Sequence, residues 1–148
     1  MSVANDIALA VAARAANIQI ANGFETDIGL KVLRGRRRLD KTHLPCVVVI
    51  ERDDQVLDTR NASVKLSQPF VIEGHMVCDP DNPNDTAHKI IADIKQVMFG
   101  DRLTYGADQR LLPIKYVGRS IAVREDGIEV VSAAVEIAVE YVDALATP

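Results

Sequence analysis

Three histidines and two cysteines carry the richest site chemistry in this 148-residue chain, and four of the five fall into two short pairs. These are His43-Leu44-Pro45-Cys46 and His75-Met76-Val77-Cys78. Imidazole and thiolate together suit tetrahedral zinc if all four side chains converge. Local geometry opposes it, because His75 and Cys78 fall in a predicted strand, where residues three apart point to opposite faces. Cys78 also belongs to an apolar alternation, so the pairs read as two ordinary buried thiols beside polar rings. The oxygen-rich stretch Asp79-Pro80-Asp81-Asn82-Pro83-Asn84-Asp85 invites a calcium reading. An EF-hand wants Gly at the sixth place and Glu at the twelfth, where this chain has Asn84 and Ile90. A turn running into a helix start accounts for the same residues.

No phosphate-cradling Gly-rich loop, zinc-protease His-Glu pair or Gly-x-Ser-x-Gly elbow occurs. His43, His75 and His88 have no nucleophile or carboxylate at a spacing that suggests a triad, although such partners can converge from distant positions. The expectation is a protein without catalytic residues, metal or cofactor.

The most unusual local feature is basic. Lys31, Arg34, Arg36, Arg37, Arg38 and Lys41 crowd into eleven positions with Asp40 as the only acid. As a solvated hairpin the run needs no partner. As a contact surface it would take carboxylates or a nucleic-acid backbone, since guanidinium pairs strongly with both. No aromatic residue interleaves it, which disfavours single-strand base stacking. In a chain with 17 Lys and Arg against 21 Asp and Glu, the run implies charge asymmetry, and head-to-tail self-association could use it. The net charge of −4 disfavours a dedicated DNA-binding domain.

These residues need elements to hold them. Ser2 to Asn17 is Ala-, Leu- and Ile-rich without Gly or Pro, and Val3, Ile7, Ala10, Val11 and Arg14 fall at helical spacing. Asn22-Gly23 reads as a turn. Lys31 to Arg36 reads as a strand, and Cys46 to Ile50 as a buried strand opened by Pro45 and closed by an Asp53-Asp54 turn. Asn61 to Cys78 is strand-like but too long to run unbroken, and Pro69 should bend it, bulge it or place it at an edge. A second helix starts at Asn82-Pro83, carries Ala87, Ile90, Ile91, Ile94, Val97 and Met98 as its apolar stripe, and stops at Gly100. Residues 101–113 read as a long functional or mobile loop. Ile114 to Glu125 and a strand alternating from Val131 to Tyr141 form a closing hairpin turned at Asp126-Gly127.

The expected architecture is one α+β domain over 1–148: a mostly antiparallel sheet with an N-terminal and a mid-chain helix on one face. Two cysteines make no disulfide framework, and no apolar stretch approaches a membrane span. The Ala-rich start also lacks a basic signal region, so the expectation is a soluble intracellular domain.

Ile18 to Gly29 reads Ile-Gln-Ile-Ala-Asn-Gly-Phe-Glu-Thr-Asp-Ile-Gly, followed by Lys31-Val32-Leu33-Arg34-Gly35-Arg36. This segment resembles the one after the first helix in tail terminator proteins of long-tailed bacteriophages and prophages. The likeness continues in outline through the Leu44-Pro45 lead-in to a strand, the helix around Ala87 to Met98, and the closing Val135-Glu136-Ile137-Ala138-Val139-Glu140-Tyr141. What the resemblance implies is structural. Such proteins are small α/β folds that assemble as a hexameric ring on the last ring of the tail tube. They stop its polymerisation and present a surface for joining the head, with DNA passing through the lumen. The implied partners are further copies of the chain, the tail tube protein and a head connector or neck protein, and the implied location is the head-proximal end of the virion tail. No cofactor or catalytic residue carries over. The family-like turn maps to Ala21, Asn22, Gly23, Phe24, Thr26, Asp27, Ile28 and Gly29. Arg34, Arg36, Arg37 and Arg38 are the candidate subunit, tube or lumen contacts. A head–tail neck or completion protein shares this size, class and ring habit, and a small metal- or ligand-binding domain or enzyme using the His/Cys pairs is the alternative of another class.

Overall fold

The computed structural model describes residues 2–35, 39, 41–122 and 129–146. Helix α1 spans Val3–Ala15, and the Ser2 hydroxyl caps it by accepting from the Asn5 amide at 3.0 Å. Strands β1 (Val32–Arg34), β2 (Cys46–Glu51), β3 (Gln55–Arg60) and β4 (Ser63–Val77) follow, then helix α2 (Pro83–Phe99). The short β5 (Thr104–Tyr105) and β6 (Arg110–Leu111) precede the closing strands β7 (Ile114–Ile121) and β8 (Val130–Ala144). Among the described residues the main sheet runs β1-β2-β4-β8-β7, with β3 also paired to β4. Every pairing is antiparallel except β1 with β2.

Side-chain periodicity decides the layers. On β8, Val131, Ala133, Val135, Ile137, Val139 and Tyr141 are buried and share one core with both helices, whereas Ser132, Glu136 and Glu140 face the other way. Ile7 and Val11 of α1 and Ile90, Ile94 and Met98 of α2 fill that core against Val47, Val49, Phe70 and Ile72. The approach of α2 is close. A methyl group on Gly74 would lie 2.4 Å from Cγ2 of Ile90. The expected α+β class, with two helices on a mostly antiparallel sheet, is the observed one.

Several expectations need correction. The strand over Pro69 is neither edge nor broken: β4 runs fifteen residues through the middle of the sheet. Proline is tolerated because its missing donor faces the seam where β2 gives way to β3. There the Arg52 amide donates to the Pro69 carbonyl at 3.1 Å, and the Gln68 side-chain amide donates to the Arg52 carbonyl in place of the absent N–H. Asp53-Asp54 therefore interrupts one long strand and does not reverse the chain, which continues into β3. The reversal comes at residues 61–62, with Asn61 at φ 52°.

Residues 101–113 hold the β5–β6 hairpin, pinned by buried Leu103 and Leu112, whose amide and carbonyl bond at 2.8 Å. Asn82 stands at the cap position of α2 without a capping bond; its side-chain Nδ2 donates to the Asp79 carboxylate at 3.4 Å instead. The Asp126-Gly127 turn and residues 123–125 lie outside the described residues.

Candidate functional site

The family-like turn is built as a fastened unit between the two helices. After α1 the chain makes one tight turn over Ile20–Asn22, and Gly23 takes a left-handed φ of 93°. Asp27 closes the loop, its Oδ1 accepting from the Ile20 amide at 2.8 Å. Asn22 donates from Nδ2 to the Asn17 carbonyl at 3.1 Å, and Phe24 packs against the core.

The centre of the unit is Asp93 on α2, which is 1% exposed. Its Oδ1 accepts from the Glu25 amide at 3.0 Å, and its Oδ2 from the Thr26 amide at 2.8 Å and the Thr26 hydroxyl at 2.6 Å. Ile28 is fully buried. Gly29 donates to the Ile18 carbonyl at 2.8 Å, and a Cβ there would lie 2.6 Å from the carbonyl oxygens of Ala15 and Ile18. Of the eight family-like residues, Ala21 alone lacks such a role and is exposed. Sequence reasoning missed Asp93. Its signal was a lone carboxylate inside the apolar stripe of α2, three residues after Ile90 and four before Val97.

The basic run divides. Arg34 on β1 donates from Nη2 to Glu51 Oε1 at 2.8 Å across to β2, an exposed cross-strand ion pair of small energetic weight. Arg36, Arg37 and Arg38 lie outside the described residues.

The His/Cys pairs separate as strand geometry requires. Cys78 joins the helix-side core, whereas Cys46 is the register partner of His75 on the opposite face. Burial pushes the Cys46 thiol up from its ordinary value, with Lys31 opposing, so it stays protonated and weakly reactive at neutral pH. Among the described residues no three His, Cys, Asp or Glu side chains are grouped to hold a metal ion. His75 instead has Ser132 Oγ 2.6 Å from Nδ1 and Glu73 Oε1 3.2 Å from Nε2. Register makes this cluster, for Ser132 pairs directly across from His75 and Glu73 lies two residues along the same strand. A hydroxyl, an imidazole and a carboxylate in series is a nucleophile–base–orienter relay in outline. A full acyl-transfer site also needs donors aimed at the developing oxyanion. Here the strand amides point within the sheet, and the Ser132 carbonyl accepts from Ala122 at 2.9 Å.

The same face carries a second polar ladder. Lys115 lies 3.0 Å and Lys65 3.9 Å from Glu140, and the Lys115 ammonium holds the Glu140 carboxyl below its usual range. Ala134 and Ala138, both buried, sit between these charged side chains on the same face. No helix among the described residues is long and apolar enough to cross a membrane. No protein-family model matches the chain, and no curated protein sequence matches it.

Proposed function

We propose that this chain is a phage virion structural protein, a tail terminator that caps the tail tube as a hexameric ring of its own copies. The cap ends tube polymerisation and offers the surface on which the head connector or neck protein docks. DNA passes through the lumen without specific recognition. The chain works by assembly and steric blocking, with no cofactor and no catalytic residue, and resides at the head-proximal end of the tail.

The observation that carries the reading is the segment from Ala21 to Gly29. It has the residue types of the family segment, and seven of those eight positions serve one fastened turn between α1 and α2. The α+β fold also suits a ring subunit, since among the described residues the exposed strands β3 and β7 lie on opposite sides of the sheet. Native mass spectrometry over a concentration series tests the assembly. Hexamers, or monomers passing to hexamers as concentration rises, support the reading. Dimers carrying stoichiometric zinc would replace it with the metal-binding alternative.

One observation favours a second reading, a small hydrolase built on Ser132, His75 and Glu73. Turnover of activated esters that is lost in Ser132→Ala and in His75→Gln would favour it over the ring. Turnover unchanged in both variants would dismiss it.

A further inference from the structure

Among the described residues the sheet has free edges at both ends, and the two differ in net charge. On the side that ends in β1, the described residues also place β3, which pairs with β4 and has all six of its residues exposed, including Val56 at 63% and Leu57 at 46%. On the other side, among the described residues, β7 pairs with β8 alone and exposes Tyr116 and Val117. Residues 53–60 carry Asp53, Asp54 and Asp58 against Arg60, a net acidic edge, whereas residues 114–121 contain Lys115 and Arg119 and no acid. Each edge also carries one irregularity, at Leu57 and at Val117. Bulges and charges of this kind blunt indiscriminate strand addition, and opposite charges then select which strand adds.

We propose that a second copy of this chain docks its 53–59 segment as an antiparallel strand on the free edge of β7. This names the subunit contact of the ring and so rests on the reading above. Strand direction allows it: β3 and β8 both run opposite to β4, and β7 runs opposite to β8, so β7 and an incoming β3 at the end of the sheet are antiparallel. Edges at opposite ends of one sheet make the contact heterologous, the type that closes into rings when the rotation per subunit divides the circle. The ammonium of Lys115 is within reach despite its pairing with Glu140, because its side chain is 71% exposed. Asp58 pairs with Arg60 at 3.2 Å on its own strand, and the contact would share that carboxylate with the neighbour. Tyr116, Val117, Val56 and Leu57 supply the apolar part of the seam.

The test is disulfide trapping in the full chain. Leu57→Cys and Val117→Cys in one polypeptide should give, on mild oxidation, a ladder of linked multimers ending at the ring number, with neither single variant going beyond dimers. Lys115→Glu with Arg119→Glu should raise the concentration for half-maximal linkage at least tenfold, and adding Asp53→Lys with Asp58→Lys should restore it. Arg119→Glu alone, which leaves the Lys115–Glu140 pair intact, should give a smaller shift in the same direction. Hexamers in native mass spectrometry without 57–117 linkage would overturn this contact and leave the ring reading standing. Linkage indifferent to the charge changes would overturn it too. A chain that stays monomeric and unlinked at high concentration also overturns it, and the ring is then judged at the tube end alone.

Discussion

Asp93 is the side chain whose loss should be felt most. It is buried in α2, and three donors from Glu25 and Thr26 converge on its two oxygens. Hydrogen bonds to a charged group contribute about 1.5–3 kcal/mol each, but their sum overstates the cost, because alanine also removes a carboxylate that was expensive to bury. What Asp93→Ala leaves behind is two backbone amides without their acceptor, one hydroxyl without its partner, and a small cavity. Each buried donor left without an acceptor costs about 1–3 kcal/mol, so after partial relaxation the net loss should be about 3–5 kcal/mol.

Asp93→Asn is the gentler variant. With its oxygen toward Thr26 it keeps two bonds and turns an NH2 group on the Glu25 amide, for a loss of about 1.5–3 kcal/mol. Thr26→Val removes one such bond and should cost about 1.5–3 kcal/mol. Urea unfolding at unchanged slope measures all three, and pairing Asp93→Asn with Thr26→Val should be non-additive because the two share a bond. In a domain of this size each kcal/mol lowers the midpoint temperature by about 2–4 °C, so Asp93→Ala should drop it on the order of 10 °C. A loss below about 1 kcal/mol in Asp93→Ala would refute the claim that this carboxylate fastens the turn.

Other consequences follow from the same geometry. Gly29→Ala drives a methyl group into the carbonyl oxygens of Ala15, Ile18 and Ala16 at 2.6–2.8 Å; backbone yields poorly, so a loss of about 3 kcal/mol is expected in chemical denaturation. Gln68→Leu removes the surrogate donor beside Pro69 and should cost about 1 kcal/mol, with faster hydrogen exchange at the Arg52 amide as its local sign. Burial, with Asp143, Asp54 and Glu51 adding negative charge, pushes the Tyr141 phenol above its ordinary value of 10.0. The fold thus favours the neutral phenol. That contribution is complete below the unfolded value and is lost as pH rises through the higher folded one. Stability should fall more steeply above pH 10 in the natural chain than in Tyr141→Phe, as followed by denaturation at pH 8, 10 and 11.

What could be read from the residues alone depended on burial repeating at a fixed period. The stripe from Ala87 to Met98 and the alternation from Val131 to Tyr141 were legible because one face of each element meets the core and the other does not. β3 was not, since all six of its residues are exposed and Asp53-Asp54 mimics a turn. Pro69 misled because the rule against proline in a central strand assumes an unbroken neighbour, and here the neighbour changes from β2 to β3 beside it.

The candidate turn was legible as a segment, but its anchor was not. Asp93 lies 67 residues from Thr26, and only packing brings α2 onto the loop. The Ser132–His75–Glu73 cluster was hidden for a related reason: sequence shows which residues alternate, and strand register decides which ones meet.

The most direct test of the proposed capping role is electron microscopy of growing phage tail tubes, with and without this chain added during growth. The account predicts a ring of density on one end of each tube and arrested elongation, with tube lengths shortening as the chain is added earlier. Undecorated ends and unchanged lengths at saturating chain would contradict it.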